Sequence, residues 1–212
     1  MDLAHIDLRD GHFRGARFGD ASLVGAKLDG ADLSETDLAG ARLDGASLPG
    51  GGGLRRASLV GATVVGATFV AELGSGHWVG VDLTNADLTG ARFEWFGRGS
   101  NVWTDVSLRG AVLRSASLPG AQMDRVDLGG AQLDGANLRR VAISELRAVG
   151  ASFDAAQCSQ MVINAPADLR DATFRRADLS DAVFDPGTQM PTPDAFADAD
   201  VASTTFPPGF YV

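Results

Sequence analysis

A single cysteine, Cys158, in 212 residues rules out an intramolecular disulfide framework and any cysteine-rich zinc site. Aromatic residues make up only 7% of the chain, so a conventional core of large side chains would be hard to fill. Positive charge is also scarce. A net charge of −9 and a pI near 4.7 argue against a protein that grips nucleic-acid phosphate directly. No apolar stretch approaches the length of a membrane span. The opening MDLAHIDLRD lacks a basic segment followed by an apolar run, so no signal peptide is expected, and a reducing cytoplasm suits the composition.

What the chain has instead is alanine, 27 glycines and a repeat. Large apolar residues fall at Leu3, Leu8, Phe13, Phe18, Leu23, Leu28, Leu33, Leu38, Leu43 and Leu48, a strict period of five. Two residues before these centres stands alanine, as at Ala16, Ala21, Ala26, Ala31, Ala41 and Ala46, and a polar residue lies between. A period of five fits neither a helix nor an ordinary strand. It suits a chain that turns a corner every five residues, with the small residue and the centre inward. Four sides close a square coil of twenty residues, and stacked coils pair backbone to backbone at about 4.8 Å.

This A(D/N)LXX signature resembles that of the pentapeptide-repeat family over residues 1–184. The resemblance implies an all-β fold, a right-handed quadrilateral β-helix. About nine coils at about 4.8 Å each make a rod of about 44 Å. Each coil leans only on its neighbours. Residues 185–212 leave the period and are expected to form a C-terminal cap or tail. There Thr192-Pro193-Asp194 resembles a helix start. Phe196, Phe206, Phe210 and Tyr211 either cover the last coil or contact a second copy in a homodimer.

A twenty-residue coil makes a register test. One ladder then runs Phe13, Leu33, Leu54, Leu73, Phe93, Leu113, Leu133, Phe153 and Phe174. Its steps ask for one residue added at Gly50–Gly53, one removed near Val70–Glu72 and one added near Asn164–Pro166. The same count collects Asp44, Asp82, Asp105, Asp124 and Glu145 on one side of the rod, part of a group of seven acids against two bases. The best-known functional branch of the family protects DNA gyrase from quinolones with dimeric, acidic, DNA-like rods. The resemblance therefore implies a protein partner, with gyrase or another topoisomerase foremost, and no direct nucleic-acid or membrane binding. Magnitude tempers this reading: about 44 Å of duplex DNA carries about 26 negative charges. A solvated face that keeps an alanine-rich rod soluble explains the acids equally well.

No chemistry stands out. His5 and His12 lie on different sides with no third ligand at metal spacing, so neither metal nor cofactor is expected. Cys158 occupies a centre, the place of a buried small hydrophobe. Gly50–Gly53 lacks the Lys and Ser/Thr of a phosphate loop. One region is irregular: GSGHW at 74–78 and EWFGRGSNVW at 94–103. The twenty-residue count places Arg98 at a centre between Trp78 and Leu118, where an unpaired guanidinium would be prohibitively costly. The expectation is a bulge between Glu94 and Val102 that expels Arg98 and turns Phe96 inward. His77, Trp95, Phe96 and Arg98 then form a candidate partner-binding cluster, with a composition typical of binding hot spots. Three functions stay open: a non-enzymatic binding rod, an enzyme or accessory factor of a biosynthetic pathway with this region as its pocket, and a general interaction scaffold.

Overall fold

The computed structural model describes residues 1–71, 76–95 and 101–212, with Gly51, Ala71, Gly76 and Trp95 described by backbone only. It is an all-β solenoid in which every recorded strand pair and bridge is parallel. The four sides are named here by their first centres: the Leu3, Leu8, Phe13 and Phe18 sides.

The five-residue rhythm has a local cause. At a corner the Ala21 N–H donates to the Phe18 carbonyl at 3.0 Å, and Asp20 between them has φ 54°. A positive φ at the third residue of a turn is what a type II turn needs, and glycine enters that region without steric cost. Gly25 (φ 63°) takes the same place one pentad later. The corner directs the small residue and the centre inward, so Ala41 and Leu43 are both fully buried. Thr36, Asn101 and Thr188 are the buried polar residues among those described, and no charged side chain joins them.

The register follows the expected one at both ends of the rod and departs from it in the middle. The added residue at Gly50–Gly53 is there: Lys27 bridges Ser47, whereas the Leu33 N–H donates to the Gly53 carbonyl. So is the one near Asn164–Pro166, between the strands Ala142–Arg147 and Val162–Asp168, where pairing moves from Ser144 with Asn164 to Leu146 with Ala167. The middle differs. Strand β1 (Ser47–Pro49) pairs β2 (Thr68–Ala71), and β2 pairs β4 (Arg92–Trp95) with Phe69 opposite Phe93, an offset of 24. Strand β3 (Gly76–Val79) pairs β5 (Asn101–Thr104) with Trp78 opposite Trp103, an offset of 25. Arg92 bridges Ser117, so Phe93 stacks below Leu118 and not below Leu113.

Two coils are therefore longer than twenty by four and by five residues. A count that works in steps of five reads four added residues as one removed, and five added as none. That is why the ladder through Leu73 looked intact. The observed ladders run Leu3, Leu23, Leu43, Val64, Leu88, Leu113, Leu133, Phe153 and Phe174 on one side. On another they run Phe13, Leu33, Leu54, Trp78, Trp103, Met123, Ile143, Ile163 and Phe184.

Aromatic side chains gather where the coils are longest. Phe69 and Phe93 stack at 4.7 Å, as do Trp78 and Trp103, and each pair meets the other edge-on or tilted. The Trp103 indole N–H donates to Asn101 Oδ1 at 2.9 Å inside the core. Asn101 fills the slot two before a centre, where alanine is usual, and satisfies the one donor that a buried indole brings with it.

Beyond the repeat the backbone stays in step. Asp178 bridges Asp200 and Val183 bridges Thr205, while Pro193–Phe196 forms a 3-10 turn. Thr192 precedes that turn without a side-chain cap bond. Phe196 stacks on Phe174 at 5.1 Å and Phe206 on Phe184 at 5.4 Å.

Candidate functional site

The corner between the Leu8 and Phe13 sides is where the repeat is interrupted twice. The chain crosses it from β2 to β3 and again, one coil on, from β4 to β5. Since β2 pairs β4 and β3 pairs β5, the ends of the two crossings lie one above the other. The flanking pentads are complete. Ala71 and Trp95 are the last residues of their pentads and end strands there, and Gly76 and Asn101 open the next pentad in the small slot.

His77 is exposed and pairs with Val102 in register. Trp95 ends β4 opposite Ala71, and Glu94, opposite Val70, holds an ion pair with Arg92 at 3.3 Å. Phe96 and Arg98 lie outside the described residues, as does most of the expected bulge. The place assigned to Arg98 does not exist: Trp78 is followed on its ladder by Trp103, and Leu118 is preceded by Phe93. Trp78 and Trp103 themselves are buried core.

The acidic face needs correction. Asp44 belongs to the Leu3 side and Asp82, bridged to Ser58 and Ser107, to the Phe18 side. Only Asp105, Asp124 and Glu145 share a side, the Phe13 side, whose six acids meet four bases. Arg125 bonds Asp105 at 2.7 Å and also reaches Asp124. Its hydrogen bond holds the Asp105 carboxyl below the ordinary carboxylate range. With the longer coils counted, every side carries a net of two or three negative charges. The cause is arithmetic again: each inserted stretch rotates all later residues by one side.

Of the tail aromatics, Phe196 is buried, Phe206 and Phe210 are half-buried, and Tyr211 is 81% exposed. Tyr211 is thus the one of the four free to meet another molecule. Among the described residues no group of three His, Cys, Asp or Glu side chains is placed to hold a metal. Cys158 is fully buried between Leu138 and Leu179, and burial pushes its thiol far above the ordinary range, with Asp178 adding to the effect. It should therefore stay silent to Ellman's reagent in the native protein and react at once in denaturant. Rapid native labelling would show that this stretch of core opens.

The model of pentapeptide repeats matches the chain in eight copies, over residues 2–38, 12–50, 71–95 and 104–140. The chain belongs to the pentapeptide-repeat family. The match stops at residue 95 and resumes at 104, across the second interruption. Among solved structures, the chain is similar to HetL, a pentapeptide repeat protein involved in heterocyst differentiation regulation from the cyanobacterium Nostoc sp. strain PCC 7120. Identity is 22%, over 97% of this chain and 86% of that one, with a TM-score of 0.37. It is similar to QnrB1, a plasmid-mediated fluoroquinolone resistance protein, at 15% identity over 96% and 86%, with a TM-score of 0.36. A third is Rfr23 from the cyanobacterium Cyanothece 51142, at 19% identity over 60% and 90%, with a TM-score of 0.34. No curated protein matches. No helix among the described residues is long and apolar enough to cross a membrane.

Proposed function

We propose that this pentapeptide-repeat protein is a non-enzymatic binding rod whose partner docks at the twice-interrupted corner. The observation that carries the reading is placement. Two insertions sit between complete pentads, at the same corner of consecutive coils, above an aromatic core. Insertions that leave the flanking core register whole are tolerated by the fold, and interruptions between regular elements commonly carry function. The exposed His77 and the end of β4 at Trp95 flank the two crossings.

The partner to test first is DNA gyrase, because the best-known branch of the family protects that enzyme from quinolones. With two or three net charges per side, the rod contacts such a partner locally, through this corner, and does not imitate a duplex. In a supercoiling assay with purified gyrase, micromolar protein is expected to inhibit the enzyme or to relieve quinolone poisoning. Trp95→Ala is expected to lose that effect at an unchanged melting temperature. If the wild-type protein does neither, gyrase is not the partner.

A further inference from the structure

The same corner carries a second feature that begins one coil further along the chain. Three open recesses mark the described surface, of about 800, 500 and 580 Å3. All three are lined by arginines, and two of them hold carboxylates beside the arginines. The largest sets Arg109 against Asp127 at 3.9 Å and Arg170 against Asp168 at 2.6 Å. The 500 Å3 recess sets Arg14 against Glu35 at 2.9 Å. The last contains no carboxylate: its walls are Pro119, Gly120, Arg139, Arg140, Ser159 and Gln160.

These six residues are three consecutive rungs of the corner between the Leu8 and Phe13 sides. The Gly120 N–H donates to the Arg139 carbonyl at 2.7 Å, and the Arg140 N–H to the Ser159 carbonyl at 3.0 Å. Below the arginines, proline and glycine leave the surface low. Above them, Gln160 Oε1 accepts from Arg140 Nε at 2.9 Å and fixes that guanidinium without cancelling its charge. Neither arginine forms an ion pair among the described residues, and both are exposed. The nearest acids on this side, Glu94, Asp178 and Asp181, each stand two rungs away, about 10 Å. That is about one Debye length at physiological salt, so they screen the pair only in part, Asp178 through its coulombic interaction with Arg139.

We propose that Arg139 and Arg140 are the docking point for an acidic peptide segment of the protein partner. Two adjacent guanidiniums over an empty, partly apolar step match carboxylates on an extended segment, and a planar guanidinium suits bidentate carboxylate contact. A nucleic acid fits less well. Its charges repeat at about 1.7 Å and would run onto net acidic surface on either side of one dipositive spot. The corner then offers a partner two neighbouring contacts, the interrupted crossings and the arginine step. The inference rests on the binding-rod reading but not on gyrase.

Binding of a short fluorescein-labelled glutamate-rich peptide, followed by anisotropy, tests it. The peptide is expected to bind the full chain, and its glutamine counterpart is not. Arg139→Gln with Arg140→Gln is expected to weaken binding up to about twenty-five-fold, from at most about fivefold for each exposed ion pair. Arg109→Gln with Arg170→Gln, which removes self-paired arginines, is expected to leave it unchanged. Equal affinity in the Arg139/Arg140 variant overturns the proposal, as does tighter binding of a labelled DNA duplex than of the glutamate peptide. None of these outcomes depends on residues 72–75 or 96–100, so failure here is distinct from failure at the crossings.

Discussion

Truncating Trp103 to alanine is expected to cost the fold about 3–5 kcal/mol, the range for removing a large aromatic from a core. That is much of the about 5–15 kcal/mol that holds a typical domain together. Trp103 is fully buried, stacks on Trp78 at 4.7 Å and leans on Phe93 at 5.0 Å. Its loss leaves a cavity between two coils that cannot close, because the backbone ladders on both sides fix the coil spacing. It also strands the Asn101 amide, whose oxygen holds the indole N–H at 2.9 Å. Two milder variants separate these contributions. Trp103→Phe keeps most of the volume and removes the donor; Asn101→Ala keeps the ring and removes the acceptor. Each is expected to cost about 1–3 kcal/mol for one unsatisfied buried group. Urea unfolding measures all three. If Trp103→Ala unfolds at the same midpoint as Trp103→Phe, the aromatic stack contributes little and the long coils are held by something else.

Much of this arrangement is legible in the sequence, and the illegible part has a definite cause. The inward pairs, such as Ala41 with Leu43, follow from composition and period alone. So do the burial of Trp78, Trp103 and Cys158 and the single added residues at Gly50–Gly53 and Asn164–Pro166. A period of five has no memory of how many pentads have passed, however, and cannot separate a coil of twenty from one of twenty-five. The error is local in the interior, since a centre stays a centre. It is global on the surface, since every described residue after Ala71 changes side, by one side up to Trp95 and by two beyond it. A count of twenty therefore groups Asp82 and Asp105 with Asp44 and gives Arg98 a place on a ladder. Asn101 could have been found: an amide in an alanine slot, two before a tryptophan, has few reasons to be there other than the indole N–H. The arginine step at Arg139 was hidden because its meaning depends on which rungs flank it.

Deleting residues 72–75 together with 96–100 is expected to leave the solenoid folded and to abolish partner binding. The pentads on each side fit together without adjustment. Phe69-Val70-Ala71 would run into Gly76-His77-Trp78, putting centres five apart with glycine in the small slot. Phe93-Glu94-Trp95 would run into Asn101-Val102-Trp103 in the same way. Both offsets return to twenty, and no observed ladder, from Phe69 with Phe93 to Trp78 with Trp103, loses a partner. Shortening a loop by so few residues changes closure entropy by less than about 1 kcal/mol. One cost is foreseeable: the third turn position needs a positive φ, which costs a side chain about 1–2 kcal/mol, and Trp95 would occupy it. Ala155 holds φ 56° at an equivalent corner, so Ala71 is acceptable there, and Trp95→Gly in the deletion background removes the remaining strain. Circular dichroism and thermal melting report the fold, and the gyrase assay reports the binding. A deletion variant that melts far below the parent would make the interruptions part of the coil's support. One that folds and still acts on gyrase would move the docking site off the two crossings. One that folds and is inert would mean that the core register and the binding surface are encoded by separate residues, the core by the pentads and the partner by what stands between them.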